Sequence, residues 1–209
     1  LLAKPIRQLT QINAVIQRGL SAAASIFELL DEDMERDTGT AQLLRAEGRI
    51  VFKDVSFAYQ DGTQTLDGIN FTAEPGQTIA LVGKSGSGKS SLVSLITRFY
   101  DFQQGEITLD GVPLKDLKLE SLRENISLVS QQVVLFNGTI EENISYGDDV
   151  VDHEKVRKAA SDAHAMEFID ELSEGMDTQV GDDAVLLSGG QRQRIAIARA
   201  LLKDAPILI

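Results

Sequence analysis

The chain of 209 residues contains no cysteine and no tryptophan, and only four prolines and two histidines. Without cysteine there can be no disulfide framework and no thiolate metal site, which suits a reducing compartment. With His153 and His164 far from any matching partner, a histidine-based metal or proton-relay site is not expected either, and both are read as solvated helix residues. Basic residues are also scarce, 20 against 32 acidic ones for a formal charge of -12. That balance disfavours attraction to a nucleic-acid backbone, and no basic cluster offsets it. No apolar run approaches the roughly 18 to 20 residues that span a bilayer. Leu1-Leu2-Ala3 leads into charged and polar residues, so no signal peptide is expected.

Glycine, by contrast, is concentrated where it matters. Gly83-Lys84-Ser85-Gly86-Ser87-Gly88-Lys89-Ser90 has the spacing Gly-x-x-x-x-Gly-Lys-Ser. Before it stands Thr78-Ile79-Ala80-Leu81-Val82, which reads as a short buried strand, and after it Leu92-Val93-Ser94-Leu95-Ile96, which reads as a helix. Strand, glycine loop and helix in that order form a phosphate-binding loop. The glycines let backbone N–H groups converge on phosphate oxygens, and the helix start adds free amides and the positive end of its dipole. Lys89 reaches the outer phosphates, Ser90 suits a Mg²⁺ position, and Ser91 adds a donor to the inner phosphate.

Taken in order, the chain opens with apolar residues at Ile6, Leu9, Ile16, Leu20, Ala23, Phe27 and Leu30, interrupted at Asn13. This spacing predicts one amphipathic helix over 5–30. An acidic stretch that begins Asp31-Glu32-Asp33 and runs to Gly48 reads as a linker. Ile50 to Phe52 and Val55 to Tyr59 read as strands, with Asp61-Gly62 turning the chain into a further strand over 66–71. Tyr59 is either an aromatic plate for a base or a cross-strand core tyrosine. A strand over 106–109 with a turn at Asp110-Gly111, and a buried strand over 126–130, follow. The latter delivers Gln131 at the strand end where α/β sheets bind ligands, to meet Mg²⁺ or a water; alternatively Gln131 is an ordinary surface glutamine. Helical marks recur from Thr139 to Leu172. Finally Leu186-Leu187-Ser188-Gly189-Gly190-Gln191 opens a helix capped by Ser188, a second glycine-bearing helix tip suited to an anion.

From Arg49 onward the chain resembles the ATP-binding cassette (ABC) ATPases. Gly83 to Ser90 is similar to their Walker A loop, Leu187-Ser188-Gly189-Gly190-Gln191 to their signature, Gln131 to their Q-loop glutamine and Tyr59 to their adenine-stacking aromatic. Arg98-Phe99-Tyr100-Asp101, residues 135–140 and Glu142-Asn143-Ile144 resemble the exporter branch. The opening helix, through Pro5 to Thr10 and Gln17-Arg18-Gly19, is similar to the cytoplasmic end of the last transmembrane helix in lipid A exporters of that branch.

The resemblance implies an α/β fold, a P-loop NTPase core of ABC type with a mainly parallel sheet flanked by helices, an antiparallel β subsheet and a helical signature subdomain. It implies three segments: a stalk helix (1–31), a linker (32–48) and a nucleotide-binding domain (49–209). It implies ATP and Mg²⁺ as cofactors, Lys89 and Gln131 in catalysis, Ser90 and Gln131 at the metal, and a second copy bound head to tail so that residues 187–191 meet the partner's ATP. The chain would serve a transmembrane domain that moves lipid A or a related lipid across the bacterial inner membrane, with these residues on the cytoplasmic side. Multidrug or peptide export is the alternative, and after it a soluble ATPase acting on nucleic acid. Pro206 to Ile209 resembles the start of the Walker B strand. The family's magnesium aspartate and general-base glutamate follow it, so residues 1–209 alone are expected to be inactive. Asp182-Asp183 departs from the Glu followed by Arg or Asn usual before the signature.

Overall fold

The computed structural model describes residues 3–32, 35, 37–59, 62–148, 150–181 and 187–209. Asp33, Asp61 and the Asp182-Asp183 pair lie outside the described residues, as does Leu186. The chain divides into two compact units, with the boundary between Asp37 and Thr38.

The first unit is one helix, α1 (Ala3–Leu30), as the spacing predicts. Of the described members of its apolar stripe, Ile16, Leu20, Phe27 and Leu30 are exposed. The side chains of Ile6 and Leu9 lie outside the described residues. Among the described residues no helix is long and apolar enough to cross a membrane.

In the second unit, strand β1 (Ile50–Ala58) pairs antiparallel with both β2 (Gln64–Ala73) and β3 (Gln104–Leu109), and β3 pairs with β4 (Val112–Pro113). Sequence alternation suggests two strands, because Ile50 and Phe52 fall on one parity and Val55 and Phe57 on the other. They form a single strand with a bulge. Asp54 adopts a left-handed φ of 49°, and the added residue resets which face the side chains meet, so all four point inward. Gly105 fits beneath that bulge, where a Cβ would come 2.3 Å from the Asp54 carbonyl oxygen.

The predicted turn between β3 and β4 has both Asp110 and Gly111 at positive φ, the tight hairpin type that favours such residues. Asp110 does more than turn the chain. Its carboxylate accepts the N–H groups of Glu47 at 2.7 Å, Gly48 at 3.1 Å and Arg49 at 2.7 Å. Leu43 N–H donates to Ser121 Oγ, and Ala46 N–H to Asn125 Oδ1. Residues 38–48, read as linker, are therefore strapped to this unit by backbone groups meeting polar side chains, with Ala46 buried in the core and Ala41 and Leu43 packed against it, too few apolar contacts to leave a period to detect. Asp110→Ala should lower stability by about 2 kcal/mol and speed amide exchange at residues 47–49; Asp110→Asn, which keeps one acceptor, should lose less.

Two hydrophobic cores follow. The first joins the inward faces of this sheet to α2 (Lys89–Ile96) and α3 (Leu119–Glu124) through Leu92, Leu95, Ile107, Leu109 and Leu122. Beside it β5 (Ile126–Ser127) starts the chain toward the second core. There β6 (Gly138–Thr139), α4 (Ile140–Ile144), α5 (His153–Asp162), α6 (Met166–Ile169) and β7 (Gln179–Val180) gather around Ile144, Val156, Phe168, Ile169 and Ile195. The long helix α7 (Gly189–Lys203) begins in this second core and ends beside β5. The last strand, β8 (Ile207–Leu208), pairs in parallel with β5.

Two sequence expectations are corrected. Residues 78–82 belong to no sheet, and Ile79, Leu81 and Val82 are 40%, 38% and 89% exposed. A fully apolar strand of this kind needs a neighbour on each side, and among the described residues none runs alongside it. The strand expected over 126–130 is shorter, although its ladder continues as Val129 N–H donates to the Ile209 carbonyl. Parallel pairing among the described residues is confined to β5 and β8, so the larger sheet is the antiparallel one.

Candidate functional site

The loop ends where α2 begins. Gly88 takes a φ of 83°, and no side chain caps the helix. The first-turn amides therefore receive nothing from a capping side chain, as an anion site requires. A Cβ on Gly88 would lie 2.7 Å from Leu66 Cδ2, so glycine lets β2 and the loop pack together. The ammonium of Lys89 sits inside the loop, donating to the carbonyls of Gly83 at 3.0 Å and Lys84 at 2.9 Å and to Ser87 Oγ at 3.4 Å. Its three protons meet three neutral acceptors. An arriving phosphate oxygen is a stronger acceptor than any of these. Ser85, Gly86 and Ser90 are exposed around it.

Tyr59 follows the end of β1 and is half-buried. Its hydroxyl is 2.8 Å from Ser91 Oγ, and its ring stands nearly perpendicular to those of Phe57 and Tyr100 at 4.8 and 5.2 Å. Gln131 is exposed, two residues past the last ladder bond of β5. The structure thus joins Tyr59 and Ser91 to the loop, and carries Gln131 on a separate strand end.

Residues 187–191 stand on the second core. Leu187 is buried there and its carbonyl accepts from Arg192. Ser188 Oγ accepts the Gln191 N–H at 3.3 Å, and Gln191 Oε1 accepts the Ser188 N–H at 2.8 Å, a reciprocal cap of α7. Leu187 and Gln191 thus have local duties in the fold. Gly189 and Gly190 are exposed, and a Cβ on Gly190 would meet nothing within 4 Å.

Sequence reasoning missed a polar link between the Gln131 segment and α7. Asn143, 1% exposed, donates to the carbonyls of Phe136 and Thr139 and accepts the Phe136 N–H. Arg199 Nε donates to the Asn143 carbonyl at 2.7 Å, and the guanidinium lies 5.9 and 5.6 Å from the stacked rings of Phe136 and Tyr146. Beside it opens a cavity of about 460 Å³ lined in part by Leu128, Val134, Tyr146, Arg199 and Lys203. Lys203 donates to the carbonyls of Arg123 and Ile126. Burial pushes both cations below their ordinary pKa. Periodicity marks apolar faces only, so a buried asparagine beside them left no signal.

The two histidines each face one carboxylate. His153 Nδ1 lies 2.7 Å from Glu141, and this hydrogen bond raises the imidazole above its usual 6.5. The pair's contribution is complete below that value and is lost as pH climbs through the raised one. His164 bonds to Glu167, which also pairs with Arg194 of α7. Among the described residues no three His, Asp or Glu side chains gather to hold a metal.

A glycine loop that opens α2 and holds a lysine at its centre, on an α/β core, defines a P-loop NTPase. Residues 66–209 match the ABC transporter family, and the chain belongs to it. It is 59% identical over 209 residues to the ATP-dependent lipid A-core flippase of Hahella chejuensis, a match covering 99% of this chain and 36% of that protein. The proteins of the same name from Saccharophagus degradans and Pseudomonas aeruginosa are each 56% identical, with all of this chain and 36% and 35% of theirs covered. The chain thus spans a little over a third of the curated relatives it matches. Among solved structures, a bacterial Atm1-family ABC exporter with ATP bound superposes with a TM-score of 0.81 at 38% identity, covering 99% of this chain and 37% of that one.

Proposed function

We propose that this chain is the nucleotide-driven motor of a homodimeric exporter that moves lipid A or a closely related lipid across the bacterial inner membrane, with the motor on the cytoplasmic side. The observation that carries the reading is the Lys89 ammonium held among the carbonyls of its own glycine loop at an uncapped helix start. The names and identity of the relatives support the lipid cargo.

ATP would bind with its phosphates against Gly83 to Ser91 and its base against Tyr59. Lys89 would exchange its neutral carbonyl partners for phosphate oxygens and offset the charge that develops as the terminal phosphoryl group transfers. Mg²⁺ prefers hard oxygen donors and keeps several waters. Ser90 and Gln131 would supply such oxygens to an ion that arrives with the nucleotide. When bound it would neutralise charge on the phosphates. Ser188 and Gly190 would face the nucleotide held by a second copy, so that closing two domains head to tail turns ATP affinity into movement of the attached membrane domain. Residues 1–31 would form the stalk to that domain.

The test is transport. Full-length protein in sealed vesicles containing labelled lipid A-core should move the label between leaflets when ATP and Mg²⁺ are supplied, and should do so less with drugs or peptides as cargo. ATP turnover without lipid movement would reject the cargo, and salt-sensitive DNA or RNA binding would favour the nucleic-acid reading instead.

A further inference from the structure

The bond between Tyr59 and Ser91 has a polarity that bears on the loop. Tyr59 lies just past the end of β1; Ser91 is the third residue of α2, in the turn whose amides face the loop. Each hydroxyl has one proton and two acceptor sites, so one of the two donates across the 2.8 Å that separates them. If Ser91 donates, its proton is consumed. If Tyr59 donates, Ser91 keeps its proton for another acceptor. The phenol is the stronger acid and so the better donor. Its position does not rest on Ser91 alone, because the ring also packs edge-on with Phe57 and Tyr100. Ser91 itself is buried, which strengthens whatever bonds it makes.

We infer that Tyr59 is a positioning residue for phosphate as well as a plate for the base. Its hydroxyl donates to Ser91 Oγ, and Ser91 turns its own proton toward a phosphate oxygen of the nucleotide. This rests on the nucleotide reading given above. Two O–H groups in series that end on an anion polarise one another, so each bond is stronger than either alone. Ring and hydroxyl then serve different halves of the ligand: the face meets the base, and the oxygen acts through Ser91 on the phosphates.

The experiment is equilibrium binding of ATP and of tripolyphosphate, which has no base, to the full-length protein. Tyr59→Phe keeps the ring and removes the hydroxyl, and should weaken both ligands about twofold, because the Tyr59–Ser91 bond exists without ligand and only its strengthening of the Ser91–phosphate bond is lost. Ser91→Ala should weaken both about tenfold, since its bond reaches a charged acceptor. The double variant should bind no more weakly than Ser91→Ala, Ser91→Thr should restore binding, and Tyr59→Ala should add a further loss for ATP alone. Wild-type affinity in Tyr59→Phe would overturn the relay, as would losses that multiply in the double variant. A lowered thermal midpoint with unchanged affinities would do the same by making the bond merely structural. Should the unsubstituted protein bind neither ligand, the nucleotide reading falls and takes the relay with it; binding that is present and lost on Lys89→Ala leaves that reading standing whatever becomes of the relay.

Discussion

Lys89→Ala should reduce ATP hydrolysis by the full-length protein by about two to three orders of magnitude, the usual consequence of removing one preorganised charge from a phosphoryl-transfer site. The protein should still fold. Lys89 is half-buried and its three partners are the loop's own oxygens, which water can satisfy once the ammonium has gone. The thermal midpoint without nucleotide should therefore stay close to that of the parent, while the upward shift that ATP gives the parent should shrink, because that shift scales with affinity. Steady-state phosphate release and thermal melts with and without ATP check both parts. Near-parental turnover would refute the assignment of the loop.

Gly190→Asp should separate folding from function more sharply. The glycine is exposed and a Cβ there meets nothing within 4 Å. A carboxylate in the first turn of α7 also interacts favourably with the helix dipole, so the fold should be as stable as before. The same negative charge would face the triphosphate held by the second copy, and hydrolysis should fall roughly a hundredfold through repulsion at close range. Binding at the Lys89 loop should persist. A mixed dimer gives the stronger test. Pairing a Lys89→Ala protomer with a Gly190→Asp protomer leaves one complete site if the glycine serves the neighbour's nucleotide, and none if it serves its own. Recovery of about half the activity supports the shared site; no recovery would rule it out.

Much of this arrangement was legible in the residues. The loop and its helix, the hairpin at Asp110-Gly111, the cap at Ser188 and the helical run after Thr139 each carry a local signal, and the structure has them where that signal lies. Features set by partners distant in sequence were not. The bulge at Asp54 disguised one strand as two. Residues 78–82 have the composition of a central strand, but composition does not provide neighbours. The strap over 38–48 is tied by Asp110, Ser121 and Asn125, far along the chain, and its polar residues look like tether. Gln191, expected at a partner's nucleotide, here closes the cap of its own helix. The roles of Tyr59, Gln131 and residues 187–191 toward a ligand stand as proposals for the experiments above.

The helix α7 is tied at its C-terminal end beside β5, where Ser127 donates to the Ala200 carbonyl and Lys203 to those of Arg123 and Ile126, while its N-terminal end is packed in the second core through Leu187 and Ile195. The fifteen residues of the helix span about 22 Å at the usual rise. A turn of about 10° about that anchorage, with the second core moving as one body with the helix, carries the glycine tip by about 4 Å, more than the reach of a hydrogen bond. A small rotation at the foot of the helix is thus enough to make or break whatever Ser188 and Gly190 grasp.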